Sequence, residues 1–323
     1  MSQTESPAGE PRRPSLAARC FFKNAIVYRL PKGFDLSSAQ LEESLAKHPL
    51  TECSPLETER RGWVAATPVS DRLVYTVNGQ HLIALGTHTK ILPASVVREE
   101  TRKRAALLAE EQGFPVGRKQ LRELKANVTT ELLAKALVKT QVTRAWIDSV
   151  NGWLVVEASG AARAEKLVSA LRDALGSFAA TLIETEHVPA TVMAGWLRAG
   201  GATHRFSLDS DLELRALEQT KSAVRYVHHA LDGQDIQVHL NAGKTVTRLG
   251  VTWNDRVSFV LTNRMEIKRL QFLAVEDEER SAESVEEQYD ADLVLMTGDF
   301  AALLSDLVEA LGGLVGTDEE ATE

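Results

Sequence analysis

The segment HLNAGKTVTRLG at 239–250 contains Ala-Gly-Lys-Thr, which has the form of the end of a phosphate-binding loop. Such a loop requires the pattern G-x-x-x-x-G-K-[ST], because two glycines allow backbone N–H groups to surround the phosphates. The position of the first glycine is occupied by Val238, whose Cβ disfavours the positive φ that this turn often needs. A nucleotide-dependent enzyme that uses Gly243, Lys244 and Thr245 is therefore an alternative and not the favoured interpretation.

The order of the surrounding elements also argues against a phosphate-binding loop. In such a loop a strand leads into the N-terminus of a helix, whose dipole attracts the anion. Here a helix is predicted at 233–242, with Asp232 as its N-cap and Gly243 after its last turn, and a strand follows in TVTRLGVTW. We therefore expect Lys244 to have a different purpose.

The remaining residue types form no recognisable catalytic motif. Cys20 and Cys53 lack the spacing of a zinc site or a redox pair, and the eight histidines form no H-E-x-x-H or H-x-H motif. The sequence also has no G-x-S-x-G motif. This pattern favours a binding protein without catalytic residues, cofactor or metal.

The charge of the chain is unevenly distributed, which its formal net charge of −8 conceals. Residues 271–323 contain 16 acidic side chains and one basic side chain, whereas residues 1–270 contain 36 basic and 29 acidic side chains and carry +7. Such asymmetry is a hint of nucleic-acid contact. No apolar run approaches the ~18–20 residues of a membrane helix, and the polar N-terminus lacks the apolar core of a signal peptide, so we expect a cytoplasmic protein without a membrane partner.

Six basic residues and only two acidic ones occur between 244 and 269. Strand alternation assigns Leu249, Val251 and Trp253 to the core, so Arg248 is expected to point outward. The expected surface row consists of Lys244, Arg248, Gly250, Thr252, Arg256, Lys268 and Arg269. Long cations with small polar neighbours suit a phosphate backbone, which can be bound without reading the base sequence.

A helical region at 94–138 is interrupted by Gly-Phe-Pro at 113–115, which predicts two antiparallel helices joined by a short turn. On the second helix Arg118, Arg122 and Lys125 are spaced so that they share a face. The apolar stripe beside them is expected to consist of Leu121, Leu124, Val128 and Leu132. A phosphate-binding face and an ordinary solvated face are equally compatible with this spacing.

The other predicted elements show no regular βαβ rhythm, which favours an α+β fold with mixed antiparallel sheets and helices. Strands are predicted in FFKNAIVYRL, RLVYTV, HLIALG, TRAWID, WLVVEA, TLIE, RFSL, LELRA, AVRYV, TVTRLGVTW, RVSFVL, IKRLQF and DADLVLM. Further helices are predicted at 37–48, capped by Ser38, at 160–175, around ATVMAGWLRAG, and in TGDFAALLSDLVEALGG. Hairpin turns are expected at Asn78-Gly79, Asn151-Gly152 and Asn254-Asp255, and an acidic linker at 276–290.

Several segments, in this order, resemble those of the RdgC family of recombination-associated proteins: FKNAIVYRL, KILPASVV, TRAWID, AGKTVTRLGVTWNDRVSFVL, IKRLQF and YDADLVLMTGDFAALL. The resemblance extends from about residue 20 to 313. It implies a cytoplasmic, nucleoid-associated protein that binds double-stranded DNA with little sequence preference and has no enzymatic activity. It also implies a homodimer closed into a ring with a basic hole, which antagonises a RecA-type recombinase. A protein-only scaffold is a further alternative.

The resemblance also implies functional residues. Lys244 matches a family lysine that faces the hole, and Arg248 lies on the same predicted strand. The expected DNA-binding residues are Arg118, Lys119, Arg122, His228, His229, Lys244, Arg248 and Arg256. His228 and His229 stand where the family often has a Lys-Lys-Gln run, so DNA binding should strengthen as the pH falls and the imidazoles gain charge.

One closure of the family's ring uses a phenylalanine in a motif like LLPRAF, and this chain has LLAKAL at 132–137. Leu137 therefore takes the position of the aromatic residue and buries less apolar area. The expected dimer contacts are Phe114 and Leu137. The alternative is that Leu137 is simply the last core residue of its helix.

The patterns and the resemblance together predict five regions along the chain. They are a disordered tail at 1–19, a central α+β region at 20–92 joined by 273–313, a protruding helical hairpin tip at 93–142, a sheet-rich base at 143–272 and an acidic disordered tail at 314–323.

Overall fold

The computed structural model describes residues 20–31, 33–216, 222–231, 233–273 and 284–316 of the 323-residue chain. The tail predicted at 1–19 lies outside these residues. So do residues 317–323 of the predicted C-terminal tail, residues 276–283 of the predicted linker, and Asp232.

The described residues form an α+β fold, as predicted, and their strands join in one large antiparallel sheet. The strands are β1 Asn24–Arg29, β2 Glu59–Val64, β3 Val74–Val77, β4 Gln80–Ile91, β5 Leu137–Asp148, β6 Trp153–Val156, β7 Thr181–Leu182, β8 Phe206–Arg215, β9 Ala223–Tyr226, β10 Thr245–Trp253, β11 Val257–Thr262 and β12 Ile267–Phe272. The helices are α1 Ser38–Ala46, α2 Ala94–Gln112, α3 Arg118–Ala134, α4 Ala161–Leu175, α5 Pro189–Ala199, α6 Gln234–Asn241 and α7 Val285–Ala310. The strand order is β2-β4-β5-β6-β1-β12-β11-β10-β8-β9, with β3 paired to β4 and β7 paired to β1.

Strand β1 connects two halves of this sheet. Its residues 26–29 pair with β6, so that Ile26 lies opposite Val156. Its first two residues, Asn24 and Ala25, pair with β12. We call β2–β6 the first half of the sheet and β8–β12 the second half.

The first half of the sheet is covered by helices on both faces. Ile26 and Tyr28 belong to one apolar cluster with α1 and α4, whereas Ala25 and Val27 belong to a second cluster with α5, α6 and α7. Because both faces are buried, β6 and the middle of β4, LIAL at 82–85, are continuous apolar runs without polar alternation. In the second half, the core face packs against α5, α6 and α7, so β10 and β11 alternate between buried and less buried residues.

Several local predictions were wrong. The N-cap of α1 is Ser37, whose hydroxyl accepts a hydrogen bond from the Gln40 backbone. The segments RFSL and LELRA are parts of one strand, β8, which continues through an irregularity in its pairing with β10. DADLVLM, predicted as a strand, belongs to α7, whose N-cap is Ser284. A short apolar run does not distinguish a strand from a buried helix, and only the longer spacing of Leu293, Met296 and Phe300 indicates the helix.

The ends of β4 and β5 that α2 and α3 connect form a ribbon, and β2 pairs with the other edge of β4 as far as Thr89. The first six residues of β5 are exposed. The two helices predicted on either side of the Gly-Phe-Pro break are confirmed, and Arg104 of α2 forms a 2.7 Å ion pair with Glu131 of α3. That these helices protrude as a hairpin tip stays a prediction.

The second of these helices is shorter than predicted and buries a different stripe. It ends at Ala134, because Leu137 already pairs with Ile91 across the ribbon. The buried residues of α3 are Val128 and Leu133, so the predicted stripe is confirmed only at Val128. Leu137 is not the last core residue of a helix: it begins β5, and it is 77% exposed.

We expect Phe300→Ala to destabilise the protein by about 3–5 kcal/mol, because it leaves a cavity between α7 and the sheet. Phe300 is fully buried, and its ring stacks on Trp146 with centroids 5.9 Å apart. Urea unfolding of the variant measures this loss. Val294→Ala on the solvent side of the same helix is the control, and a loss of equal size there would contradict the assignment of the core face.

Candidate nucleic-acid interface

Strand β10 alternates between the core and the opposite face of the second half of the sheet, which we call the outer face. Leu249, Val251 and Trp253 are at most 3% exposed, as predicted. Arg248 and Thr252 are half-buried and belong to the outer face. The sequence alternation therefore assigned the two faces of this strand correctly.

Gly250 is not open to solvent, contrary to the prediction. It is buried, and a Cβ added there would lie 3.2 Å from the Cβ atoms of Asp209 and Asp211 on β8. This distance is tighter than ordinary van der Waals contact. The glycine thus permits the close approach of the irregular part of β8, and leaves no surface for a ligand at this position.

Strand β8 brings carboxylates to the outer face. Asp209, Asp211 and Glu213 occupy alternate positions, which places them on one side of the strand. Glu213 lies opposite Arg248 on one side and Arg225 on the other. Because β8 lies outside the window 244–269, the excess of basic residues in that window overstated the charge of this surface. The alternating acids in DSDLE at 209–213 were the signal that could have revealed it.

Glu213 is the most strongly held of these carboxylates, and its side chain is only 4% exposed. Arg225 Nη2 donates to its Oε2 at 2.5 Å, and Arg215 Nε and Thr247 Oγ1 donate to its Oε1 at 2.8 and 3.0 Å. Burial opposes the ionisation of Glu213, but the hydrogen bonds from Arg225, Thr247 and Arg215 outweigh it and lower the pKa to about 2. Glu213 therefore stays charged and orients two arginines.

A bulge in β12 brings two adjacent cations to the outer face. The pairing of β11 with β12 is irregular between Ser258 and Val260, and Arg269 has a φ of +53°. Because a bulge interrupts the strict alternation of a strand, Lys268 and Arg269 line the same cavity. Lys268 pairs with Glu266 at 2.8 Å, and Arg269 Nη1 pairs with Asp211 Oδ2 at 2.5 Å.

Two adjoining cavities open on the outer face. The larger, about 600 Å³, is lined by Lys23 and His228, and the smaller, about 220 Å³, by Arg225, Arg248 and Lys268. Their shared lining residues are Asn24, Asp211, Val260 and Arg269. The surface is thus a mixture of cations and carboxylates, with more cations than carboxylates among the lining residues.

The Gly-Lys-Thr segment follows a helix and precedes a strand, as predicted. Gly243 has a φ of +79° after the C-terminus of α6. The Lys244 backbone N–H donates to the His239 carbonyl at 3.2 Å, and Lys244 Nζ lies 2.9 Å from His239 Nδ1. The N-cap of α6 is Gly233 and not Asp232. A helix C-terminus presents carbonyl groups, so this geometry does not form a phosphate-binding loop.

The other predicted DNA contacts are only partly brought together. His228 is exposed and lines the larger cavity. His229 is also exposed, and its Nδ1 lies 2.7 Å from the carbonyl oxygen of the adjacent Ala230. Arg256 lies apart from the outer face, since its guanidinium pairs with Asp299 of α7 at 3.0 Å. Reasoning from the sequence missed Arg225, whose short strand did not mark it as part of this surface.

The predicted contacts Arg118, Lys119 and Arg122 lie on α3 and not on the sheet. All three are exposed and form no ion pair within the described residues. The predicted dimer contacts Phe114 and Leu137 are 59% and 77% exposed near the same helix.

Within the parts of the chain that the structure describes, no group of three or more His, Cys, Asp or Glu side chains is arranged to hold a metal ion. The same described residues contain no helix with the length and apolarity needed to cross a membrane.

The fold and the site define an α+β protein with one large antiparallel sheet, whose outer face interleaves basic and acidic side chains. The chain belongs to the RdgC family, whose model, described as "Putative exonuclease, RdgC", matches residues 20–314. The recombination-associated protein RdgC of Dechloromonas aromatica (strain RCB) is 44% identical over 301 residues, which cover 91% of this chain and 98% of that protein. The recombination-associated protein RdgC of Janthinobacterium sp. (strain Marseille) is 42% identical over 297 residues, covering 91% and 99%. The resemblance stated from the sequence is confirmed.

We expect Glu213→Gln to lower the free energy of unfolding by about 2–3 kcal/mol at pH 7, because the ionised carboxylate is better stabilised in the folded state. The pKa of Glu213 is lowered by folding, so its stabilising effect is present above about pH 4.5 and is lost as the pH falls to about 2. Urea unfolding of both proteins from pH 7 to pH 2 should show the difference shrinking toward zero. Asp173→Asn, an exposed carboxylate on α4, should have a small effect throughout, and a pH-independent difference for Glu213→Gln would contradict the argument.

Proposed function

We propose that this protein binds double-stranded DNA through the phosphate backbone, with little sequence preference and without enzymatic activity. In this proposal a homodimer encircles the duplex as a ring and restrains a RecA-type recombinase by occupying DNA in the cytoplasmic nucleoid. The curated relatives, which are named recombination-associated proteins, support the link to recombination.

The observation that carries the proposal is the placement of unpaired cations where local electrostatics disfavour them. Arg118, Lys119 and Arg122 lie in the first turns of α3, which has no acidic residue in its first turn. The positive end of the helix dipole disfavours a cation in the first turn, such as Arg118 or Lys119, by about 0.3–1 kcal/mol. An external anion would offset this cost, and a phosphate backbone supplies anions at regular spacing.

The outer face supports the same conclusion at a second place. Within the described residues the Arg248 side chain forms no hydrogen bond or ion pair, and it lines a cavity with Arg225 and Lys268. Its neighbours on the strand are Thr247, whose hydroxyl bonds to Glu213, and the covered Gly250. Cations on a sheet surface of this kind suit phosphates better than base edges, which lie within the grooves of a duplex.

The exposed apolar side chains support association of two copies. Those on the ribbon, on α2 and α3 and in the turn between these helices are Ile91, Val96, Leu107, Phe114, Leu121, Leu137, Val138 and Val142. Single exposed apolar residues are normal, but a concentration of them in one region marks an interaction site. We propose that Phe114 and Leu137 contribute to closure of the ring here.

A nucleotide-dependent enzyme is the alternative, and the contact between Lys244 and His239 at a helix C-terminus argues against it. The protein is incubated with ATP, magnesium and end-labelled duplex, and both ATP hydrolysis and nucleotide release are measured. The proposal expects neither, and nucleotide release would instead support the exonuclease activity in the family description.

Mobility shifts on linear and sealed circular duplex, with the mass measured in solution, test the binding ring. A protein-only scaffold would shift neither DNA.

We expect Arg248→Ala to weaken binding to all duplex sequences alike, because it removes a phosphate contact. The slope of log affinity against log salt concentration should fall in magnitude by about 0.9. The affinity is measured by titrating duplexes of different sequence at salt concentrations from about 50 to 200 mM. Arg198→Ala, an exposed cation on the core-side helix α5, is the control, and a loss confined to some sequences would indicate base reading.

We expect Leu137→Asp to release sealed circular duplex faster than the wild type does when competitor DNA is added. A charge in an apolar contact opposes closure, and a closed ring cannot leave a circle without opening. On linear duplex the two proteins should differ less, because both can leave at the ends. Val150→Asp, a change at an 85% exposed valine in the β5–β6 turn, is the control. Equal release rates from circles would contradict a role for Leu137 in closure.

A further inference from the structure

We infer that Asp211 is a built-in competitor for phosphate on the outer face. In the free protein its carboxylate pairs with the guanidinium of Arg269, and a DNA phosphate must displace the carboxylate to bind this guanidinium. This inference rests on the proposed DNA binding and concerns how the same surface is regulated.

The geometry of the pair suits an exchange between two anions. Arg269 Nη1 lies 2.5 Å from Asp211 Oδ2, and the arginine side chain is 69% exposed. Its backbone is held independently, since the Arg269 N–H donates to Asn24 Oδ1 at 3.4 Å and the next residue, Leu270, donates to the Lys23 carbonyl at 2.9 Å. The guanidinium can therefore change partner without any movement of the strand. A carboxylate and a phosphate offer it the same type of charge-assisted hydrogen bond.

Asp211 is held less firmly than its neighbour Glu213. Glu213 accepts hydrogen bonds from three side chains and is almost fully buried, so it cannot leave its arginines easily. Asp211 has one side-chain donor, Arg269, and its buried Oδ1 has no hydrogen-bond partner among the described residues. A buried acceptor without a partner costs free energy, so stability alone does not explain a carboxylate at this position.

The pair also lies between the two cavities of the outer face. Asp211 and Arg269 line both the 600 Å³ and the 220 Å³ cavity, with Lys23 on one side and Arg225 and Arg248 on the other. A phosphate bound to Arg269 would thus lie between cations that are already in place. Until then, Asp211 reduces the positive charge that the surface offers to small anions. The carboxylate consequently favours ligands that deliver several phosphates at once.

The test is the affinity of Asp211→Asn for duplex DNA. Removing the carboxylate charge should tighten binding about tenfold, since Arg269 becomes free for a charge-assisted contact with phosphate. The salt slope should increase in magnitude by about 0.9, which corresponds to one additional phosphate contact. Asp173→Asn changes the net charge equally, at an exposed position on α4, and should leave both quantities unchanged.

The same substitution in an Arg269→Ala background distinguishes exchange from a general effect of charge. If Asp211 acts through Arg269, the double variant should bind like Arg269→Ala alone. An equal gain in DNA affinity in both backgrounds would overturn the inference and indicate long-range repulsion instead. The inference would also be overturned if neither Asp211→Asn nor the second variant Asp211→Ser bound DNA more tightly than the wild type. These outcomes differ from failure of the proposed function, in which the wild type itself would not bind duplex DNA.

Discussion

The pairing of β1 with both β6 and β12 is the constraint on which the rest of the structure depends. Residues 26–29 of this six-residue strand pair with β6, and residues 24–25 pair with β12. One short strand therefore aligns both halves of the sheet. Its side chains enter apolar clusters on both faces, which leaves little freedom for any other register. This pairing sets the position of β12 and therefore of the cations on its bulge. The Leu270 N–H donates to the Lys23 carbonyl, and the Arg269 N–H donates to Asn24 Oδ1.

The two halves of the sheet use their faces differently. The first half contributes to apolar clusters on both faces, and the ribbon of β4 and β5 continues from it toward α2 and α3. The second half packs its core face against helices and presents its other face to solvent. A binding surface built on strands is held more precisely than one built on loops, because each side chain is positioned by cross-strand hydrogen bonds. The outer face is thus formed by strands that β1 joins to the buried half.

Electrostatic balance shapes this surface as much as its excess of cations does. Glu213 lies between Arg225 and Arg248 in register and stays ionised, and its hydrogen bonds orient Arg225 and Arg215. Exposed ion pairs contribute only about 0–1 kcal/mol, so such pairs can be exchanged for contacts with a ligand. A buried carboxylate with several donors behaves differently and acts as a fixed part of the framework. The outer face combines both kinds of carboxylate on a single strand.

The sequence by itself determined the family, the α+β class, most strands and helices, and the inward side of β10, because these depend on local periodicity, turn residues and recognisable segments. Leu249, Val251 and Trp253 could be assigned to the core from alternation alone. Only the tertiary structure decided that DADLVLM continues a helix, that Leu137 begins a strand, that Gly250 is covered, and that Arg256 pairs with α7. It also decided that the acids of β8 lie among the cations of β10 and β12. These outcomes depend on contacts between residues far apart in the chain, and a local pattern carries no information about which distant strand will supply a neighbour.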